Sequence, residues 1–296
     1  MTNIIKKAEL VSRFESAFTC PHCESSMKVV DWKSLICANK HTFDITKQGY
    51  LNMMIRPSHS HYNKELFEAR HKTISESSLY APMHKWIAKA IKQHVEVSTD
   101  PVMVLDAGCG EGSHLQKILD DCMCPTITGF GIDISKEGIA MAAKRYKNSL
   151  WMVGDLARTP FKDRSFQVIL SILSPSNYTE FKRILIQDGL VIKVLPRPNY
   201  LKELREELFD TNSKKVYQNE KTVSLFKEHL QLLEAFQLRY TQNLSQSELP
   251  HIVQMTPLAW SADRERIKTY LKKDSAEITV DLEILVGMKK QTEKRR

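Results

Sequence analysis

Short apolar runs alternate with helix-length polar segments through the middle of the chain. The runs lie at residues 102–105, 127–134, 150–153, 166–170 and 189–195. Between two of them, the apolar positions over residues 136–146 follow the spacing of an amphipathic helix. Strands separated by helices pair side by side through right-handed crossovers. The pattern therefore predicts an α/β fold with a largely parallel sheet.

The two ends of the chain follow other patterns. Residues 62–96 have helical apolar spacing and predict a helical bridge in front of the sheet. Residues 204–236 are predicted to be mostly helical and polar, and residues 236–240 and 277–288 to be strands. This late pair suits an antiparallel edge added to the sheet. The basic tail at 289–296 is expected to be frayed.

Length and composition are those of one full domain with a smaller piece attached. Of the 296 residues, 42% are hydrophobic and 26% are charged. No apolar run approaches the roughly 18 residues of a membrane span, and the charges within residues 1–16 argue against a signal peptide. We expect a cytoplasmic protein whose six cysteines are reduced or bound to metal. The expected divisions are a front module at 1–60, the bridge at 61–98 and the main domain at 99–296.

The most informative motif is Asp106-Ala-Gly108-Cys-Gly110-Glu-Gly112, directly after the first strand. Glycine allows a ligand to approach the backbone closely and allows positive φ. The spacing differs from the G-x-G-x-x-G of dinucleotide sites, where a pyrophosphate lies on a helix N-terminus. A carboxylate two residues before the first glycine opposes such an anion, whereas it can hold an ammonium group. Asp106 therefore favours S-adenosylmethionine over NAD.

Two further acidic residues end the next two strands. Asp133 can accept both hydroxyls of an adenosine ribose. Asp155 can accept a hydrogen bond from the adenine amino group, with Leu156 supplying a backbone N–H. Each residue alone also fits a helix cap or a turn. Three acidic residues in order at the ends of three successive strands favour a cofactor site.

These residues resemble those of class I methyltransferases, in which the glycine loop holds the methionine moiety and the later acidic residues hold ribose and adenine. The matching positions are Asp106, Gly108, Gly110, Asp133 and Asp155. The resemblance implies a Rossmann-like, mostly parallel sheet with an antiparallel late strand. The predicted cofactor-binding residues are Tyr80, Asp106, Gly108, Cys109, Gly110, Glu111, Gly112, Asp133, Ile134, Asp155 and Leu156.

Two close pairs of metal-ligand residues lie near the start of the chain, Cys20 with Cys23 and Cys37 with His41, separated by 13 residues. This spacing suits tetrahedral Zn²⁺ in a small ribbon-like domain, because each pair makes a knuckle and the loop brings the knuckles together. Four protein ligands leave no open position, so the zinc is expected to be structural. The alternative is a dithiol redox site at the first pair, which leaves Cys37 and His41 without a role.

Further segments complete a narrower pattern. They are Phe43-Asp44, Lys47-Gln-Gly-Tyr50, Ala69-Arg70, Tyr80, Ser174-Pro175, Gln254-Met-Thr-Pro257 and Trp260. Together with the knuckles and the glycine loop, they resemble the bacterial 23S rRNA guanine-N1 methyltransferases, which include a tylosin-resistance type. Asn63 and Glu76-Ser-Ser78 depart from the family, where an acidic residue and a glycine-containing turn are expected. The resemblance implies methylation of a guanine in a domain II hairpin near the peptide exit tunnel.

Methyl transfer from a sulfonium requires alignment and desolvation more than acid catalysis. Guanine N1 carries a proton that an acceptor must remove, and the base must leave its stack. The segment 174–178 follows the fourth strand, where class I enzymes commonly contact their target. Asn177 can bond to the guanine edge and Tyr178 can stack on it, although a turn and a helix N-cap explain the segment equally well. Asp44 and His61 are candidates for the cleft wall.

A net charge of +8 favours a polyanionic partner, although solubility alone also explains it. The basic residues predicted to contact RNA phosphates are Lys28, Lys33, Lys40, Lys47, Arg56, Lys64 and Arg70, flanked by His59 and His61. A solvated charged face is the alternative for each. The expected partner is a 23S rRNA hairpin, which a homodimer could meet with a shared cleft.

Three other functions compete with this one. The first is a methyltransferase for a small molecule, with the zinc module as a lid. The second is an RNA-binding adaptor that keeps the cofactor fold as a scaffold, and the third is an NAD dehydrogenase. The intact acidic and glycine residues of the cofactor loop argue against the last two.

Overall fold

The computed structural model describes residues 2–56, 62–95, 101–209 and 218–290, and it contains a small and a large β-sheet. The predicted positions His59 and His61 lie outside the described residues. None of the described helices has the length and apolar character needed to cross a membrane.

The front of the chain holds a helix and the small sheet. Helix α1 (Asn3–Arg13) leads into three antiparallel strands, β1 (Met27–Val30), β2 (Ser34–Cys37) and β3 (Thr42–Asp44). The chain then leaves this sheet, and a short strand, β4 (Leu51–Asn52), pairs with the large sheet. The small sheet thus ends before the expected module boundary at 60, which itself stays a prediction.

The predicted helical bridge consists of α2 (Lys64–Ser75) and α3 (Ala81–His94). Asn63, one of the departures from the family pattern, is the N-cap of α2, and its side-chain oxygen accepts a hydrogen bond from Leu66 N at 2.9 Å. An amide in place of a carboxylate performs this capping equally well. Pro82 lies in the first turn of α3, where its missing N–H costs no helix hydrogen bond.

The large sheet carries the predicted crossovers. Its further strands are β5 (Val102–Ala107), β6 (Ile127–Asp133), β7 (Leu150–Val153), β8 (Phe166–Ile172), β9 (Leu185–Pro196), β10 (Leu230–Ser245) and β11 (Ser275–Lys289). Its helices are α4 (Ser113–Cys122), α5 (Lys136–Arg145), α6 (Tyr178–Ile184), α7 (Lys202–Leu208), α8 (Glu220–His229), α9 (Leu249–Met255) and α10 (Arg264–Tyr270). The strand order is β10-β11-β9-β8-β5-β6-β7-β4, and only the pairs made by β11 are antiparallel.

The late antiparallel edge is as predicted, but its first strand is longer than expected. Strand β10 begins at Leu230, so the prediction that residues up to 236 are helical is wrong. The pairing register of β10 shifts between Leu232 and Glu234, at a β-bulge that interrupts the alternation of apolar and polar residues. This interruption hid the strand from the sequence pattern.

Aromatic side chains join the front of the chain to the main domain. Phe14 lies edge-on to Phe130 of β6 with ring centroids 5.4 Å apart, and Phe18 packs on Phe161 at 5.7 Å. The buried Lys7 donates hydrogen bonds to the carbonyls of Lys147 at 2.7 Å and Ser149 at 2.5 Å. Helix α1 is therefore fixed to the sheet edge at which β7 begins.

Candidate active site and metal centre

The glycine loop closes tightly between two neighbours. Strand β5 is buried along its length, and Gly108 and Gly112 that follow it both have φ of +82°. A Cβ at Gly108 would lie 2.8 Å from Ser174 Cβ, and one at Gly112 would lie 2.5 Å from Trp151. A larger residue at either position would therefore move the loop from the start of α4.

The three acidic residues meet at one edge of the sheet, because β5, β6 and β7 are parallel neighbours. The Asp133 carboxylate accepts hydrogen bonds from Gly110 N and Ser135 N, both at 2.8 Å. The exposed Asp155 accepts one from Ala157 N at 2.8 Å. Both residues are therefore turn caps, and each carboxylate oxygen retains a second lone pair for a ligand.

Asp106 differs from the other two acids. It is 2% exposed and accepts no hydrogen bond from the described part of the chain. Burial raises the pKa of its carboxyl group to about 7, an effect that the nearby Arg70 guanidinium opposes. A buried carboxylate that lacks donors suits a cationic ligand such as the ammonium group of S-adenosylmethionine.

Arg70 of α2 contacts the cofactor loop. This placement corrects its predicted role as a contact to RNA phosphates. It reaches from α2 to Glu111, with Nε 3.2 Å from Oε1, and a Cβ at Gly110 would lie 3.5 Å from that nitrogen. Glu111 is fully buried and also accepts hydrogen bonds from Ser113 N and Oγ. The sequence could not show this placement, because a helix crossing sets it.

Three predicted cofactor residues have side chains that are buried in the protein. The Cys109 thiol is 1% exposed and burial raises its pKa well above the usual value, while its backbone N–H donates to the Ile132 carbonyl at 3.2 Å. Tyr80 is 1% exposed and its hydroxyl lies 2.5 Å from that of Tyr200. Glu111 is occupied by Arg70. Since all three side chains are buried and that of Glu111 is paired with Arg70, cofactor contact by these residues stays a prediction.

Apolar side chains lie at the same edge. Ile134 is 42% exposed, which is unusual for an isoleucine directly after a buried strand. Leu156 lies 3.9 Å from a Cβ built on Gly108. Both side chains can provide apolar contacts to an adenine ring, and the predicted hydrogen bond from the Leu156 backbone N–H stays a prediction.

The segment after β8 is held by polar side chains, of which Lys193 was not predicted from the sequence. Ser174 Oγ donates to the Ala107 carbonyl at 2.8 Å. Lys193 of β9 donates to Ser171 Oγ at 3.1 Å and to the Ser174 carbonyl. Lys193 is 3% exposed, and among the described residues it forms no ion pair, so burial lowers its pKa to about 8. Its only sequence signal is a lysine within an apolar strand.

The predicted target contacts of this segment are corrected. Asn177 is the N-cap of α6, its Oδ1 accepting from Glu180 N at 3.2 Å and its Nδ2 donating to the Leu156 carbonyl at 3.2 Å. Tyr178 is 3% exposed and packs among Phe181, Phe226 and His229. Tyr178 therefore cannot stack on a guanine without leaving the core, and the turn with an N-cap is the observed alternative.

Asp44 lies on β3 of the small sheet, far along the chain from these segments. Its Oδ1 accepts a hydrogen bond from Ser34 Oγ at 2.5 Å. Its role at the cleft wall stays a prediction.

The four predicted zinc ligands converge, with their donor atoms all within 4.8 Å of one another. Cys20 Sγ and Cys37 Sγ lie 3.5 and 3.4 Å from His41 Nδ1, and Cys23 Sγ lies 3.7 Å from Cys37 Sγ. Tetrahedral zinc with ordinary bond lengths separates two sulfurs by about 3.8 Å and a sulfur and nitrogen by about 3.6 Å. The cluster therefore fits a zinc ion, and the redox alternative does not account for it.

Local hydrogen bonds lower the pKa of Cys23 and Cys37, whereas burial raises the pKa of Cys20 to about 11. Hydrogen bonds from Ser25 lower the pKa of Cys23 to about 5. His41 N–H points at Cys37 Sγ at 3.3 Å. Thiolates rather than thiols bind zinc, so these contacts favour the metal-bound state.

Two family descriptions match this chain. The family described as "RlmA, N-terminal", a zinc ribbon, matches residues 18–60, and the family described as "Methyltransferase domain" matches residues 104–189. They cover the knuckles and the cofactor loop respectively.

Relatives match nearly the whole chain. A Bacillus subtilis (strain 168) protein, YxjB, assigned by name as a 23S rRNA (guanine-N(1)-)-methyltransferase, is 45% identical over 93% of this chain and 98% of its own. The 23S rRNA (guanine(748)-N(1))-methyltransferase of Streptomyces fradiae is 28% identical over 84% of this chain and 87% of its own. The predicted resemblance and fold class are confirmed, and the adaptor and NAD alternatives are not supported. The chain therefore belongs to the family of 23S rRNA (guanine-N(1)-)-methyltransferases, S-adenosylmethionine-dependent enzymes with a zinc ribbon in front of a class I methyltransferase domain.

Proposed function

We propose that this chain transfers the methyl group of S-adenosylmethionine to N1 of a guanine in 23S rRNA, within a domain II hairpin near the peptide exit tunnel, in the cytoplasm. The observation that carries the proposal is the combination, in one chain and in the relatives' order, of a zinc cluster and a cofactor loop with a buried acidic residue. The relative with 45% identity is named for this reaction and spans both parts.

Residues of the loop and its neighbours each bind a different part of the cofactor. The cofactor supplies an activated sulfonium methyl group. Asp106 binds the ammonium group, and Arg70 binds the carboxylate through the nitrogens that Glu111 does not occupy. Asp133 accepts the ribose hydroxyls and Asp155 the adenine amino group. This arrangement fixes the methyl group without any acid catalysis, as alignment requires.

The target side of the reaction needs an extruded guanine and an acceptor for its N1 proton. Ser174 lies against Gly108, so the segment that begins there borders the methionine end of the cofactor site. A guanine held on this segment has N1 near the methyl group. Asp44 remains our candidate for the wall of this cleft.

The RNA backbone is proposed to lie along basic side chains of the small sheet and the segments beside it. The residues in this set are Lys28, Lys33, Lys40, Lys47, Arg56 and Lys64, which are all exposed. Such contacts set affinity and salt dependence and leave base choice to other groups. A homodimer with a shared cleft is part of the proposal and is tested by analytical ultracentrifugation.

The deciding experiment is tritiated methyl transfer to unmodified 23S rRNA, mapped by primer extension. One reverse-transcription stop within the domain II hairpin is the expected result, because N1 methylation blocks base pairing. Asp106→Asn is the matched inactive control. Transfer to a small molecule but not to rRNA would contradict the proposal.

A further inference from the structure

Two exposed aromatic side chains pack on each other at the surface. Trp260, in the 3-10 helix Pro257–Ser261, is 53% exposed, and Tyr62, just before α2, is 41% exposed. Their ring centroids are 5.6 Å apart. Neither ring takes part in the cofactor or zinc sites described above, and a contiguous exposed apolar patch is a candidate binding surface.

This aromatic pair is connected to the cofactor loop. The Tyr62 ring lies 6.1 Å from that of Phe67. Phe67 in turn packs over the loop, 3.3 Å from a Cβ built on Gly110. The surface is therefore two side chains away from the cofactor loop.

Trp260 of this pair lines a cavity whose other walls are suited to a nucleotide. The cavity, of about 200 Å³, is lined by Asn63, Leu66, Val253, Gln254, Ala259 and Trp260. An indole face stacks on any base, and the carboxamides of Asn63 and Gln254 can bond to base edges. Adjoining it, a cavity of about 330 Å³ shares Gln254 and carries Lys64 and Lys72.

The charges around the second cavity favour a phosphate. Its two carboxylates are Glu65 and Glu68, and Glu68 is paired with Arg145 at 2.6 Å. Glu65 forms no ion pair with a described residue, so the two lysines outnumber the remaining carboxylate. A stacking face, amides and ammonium groups together match the base and the phosphate of a nucleotide.

We propose that Trp260, with Tyr62, forms a stacking platform for an unstacked base of the RNA substrate, with Asn63 and Gln254 at the base edge and Lys64 and Lys72 at its phosphate. This inference rests on the proposed function, because it assigns a surface to the RNA. Stacking is tolerant of base identity, so the platform contributes affinity and orientation. The target guanine itself is positioned by the segment that begins at Ser174.

The test compares full-length Trp260→Ala and Trp260→Phe with Met123→Ala. Met123 is 82% exposed and ends α4, so it is an apolar surface residue away from the cavity. Binding of a fluorescein-labelled domain II hairpin is measured by anisotropy at several salt concentrations. S-adenosylmethionine affinity, thermal unfolding and sedimentation are measured on the same samples.

We expect Trp260→Ala to raise the RNA Kd about ten- to a hundredfold, the range of one stacked base. The slope of log Kd against log salt should stay unchanged, because no phosphate contact is removed. Cofactor affinity should also be unchanged, Trp260→Phe should recover most of the RNA affinity, and Met123→Ala should match wild type.

An RNA Kd unaltered in Trp260→Ala, in a wild type that methylates the hairpin, would overturn the platform alone. If the wild type sediments as a dimer and Trp260→Ala sediments as a monomer, the surface binds a second copy of the chain instead of RNA. If the wild type neither binds nor methylates the hairpin, the proposed function fails and the platform fails with it.

Discussion

Asp106 makes cofactor binding dependent on pH. Its carboxyl group has a pKa raised from 3.8 to about 7 by burial, so it is protonated below pH 7 in the free protein. Binding an ammonium group requires the carboxylate and must release that proton. We therefore expect the Kd for S-adenosylmethionine to rise by about tenfold per pH unit below pH 7 and to be flat above it.

Isothermal titration calorimetry in buffers of different ionisation enthalpy checks this prediction, since it counts released protons. Asp106→Asn should bind the cofactor weakly and without the pH dependence. The folding stability of the free protein depends on pH with the opposite sign. The raised pKa stabilises the fold fully below pH 3.8, and this contribution is lost as pH rises to about 7. A cofactor Kd that does not change from pH 5 to 8 would rule out the role of Asp106.

Lys193 and Lys7 form a natural pair for separating positioning from stability. Both are 3% exposed, both donate to backbone carbonyls, and burial lowers the pKa of each to about 8. Lys193 lies near the carboxyl end of β9, under the segment at Ser174, whereas Lys7 lies at the opposite sheet edge, where β7 begins.

We expect Lys193→Met to lower kcat at least tenfold, because the segment that we propose to contact the target loses its anchor. Lys7→Met should leave kcat unchanged. Each substitution removes buried donors, so unfolding free energies should fall in both by about 1–3 kcal/mol. Single-turnover rates and chemical denaturation measure the two effects. Equal kcat values in the two variants would reduce Lys193 to a structural role.

The residues that could be predicted at the cofactor site are those fixed by one strand and its loop. Asp106, Gly108 and Asp133 follow from spacing alone, since parallel strands bring their carboxyl ends to one edge. Arg70 and Lys193 could not be placed, because they enter from a crossing helix and a neighbouring strand. Tyr178 was misassigned for the same reason: its burial depends on Phe226, 48 positions later in the numbering.

At the scale of elements, the zinc knuckles hold a sheet too small to be stable by its apolar core. Strands β1 to β3 have four, four and three residues. Structural zinc supplies folding free energy outright in such units. The knuckle spacing in the sequence sufficed to predict the zinc ligands. The start of β10 was predicted at residue 236 instead of Leu230, because a β-bulge breaks the alternation of apolar and polar residues.

We expect Cys23→Ser to lose zinc, to unfold the small sheet and to abolish RNA methylation, while leaving the Kd for S-adenosylmethionine within a few-fold of wild type. The glycine loop and the acidic residues proposed to hold the cofactor lie outside the small sheet, which is the reason for the difference. Cys124→Ser, a partly exposed thiol outside the cluster, is the matched control. Metal analysis and calorimetry check it, and retained methylation after zinc loss would contradict it.

At the scale of the whole molecule, the question is whether RNA binding uses the total charge or a localised surface. The net charge of +8 attracts RNA to any face of the protein. The proposed phosphate contacts instead concentrate RNA binding on the small sheet, where Lys28 and Lys33 are both exposed. Lys85 and Lys89 of α3 are equally exposed and lie outside the proposed set, so they provide a matched removal of two charges.

Removing Lys28 and Lys33 together should reduce the slope of log Kd against log salt by about 1.5, since each lost phosphate contact removes about 0.7–0.9. Removing Lys85 and Lys89 should weaken binding only slightly and leave the slope unchanged, because distant charges are screened beyond a Debye length of about 10 Å. The same hairpin and anisotropy measurement serve both pairs. Equal slopes in the two double variants would mean that the RNA is held by overall charge, and the small sheet would then have no particular claim to be the surface that the backbone follows.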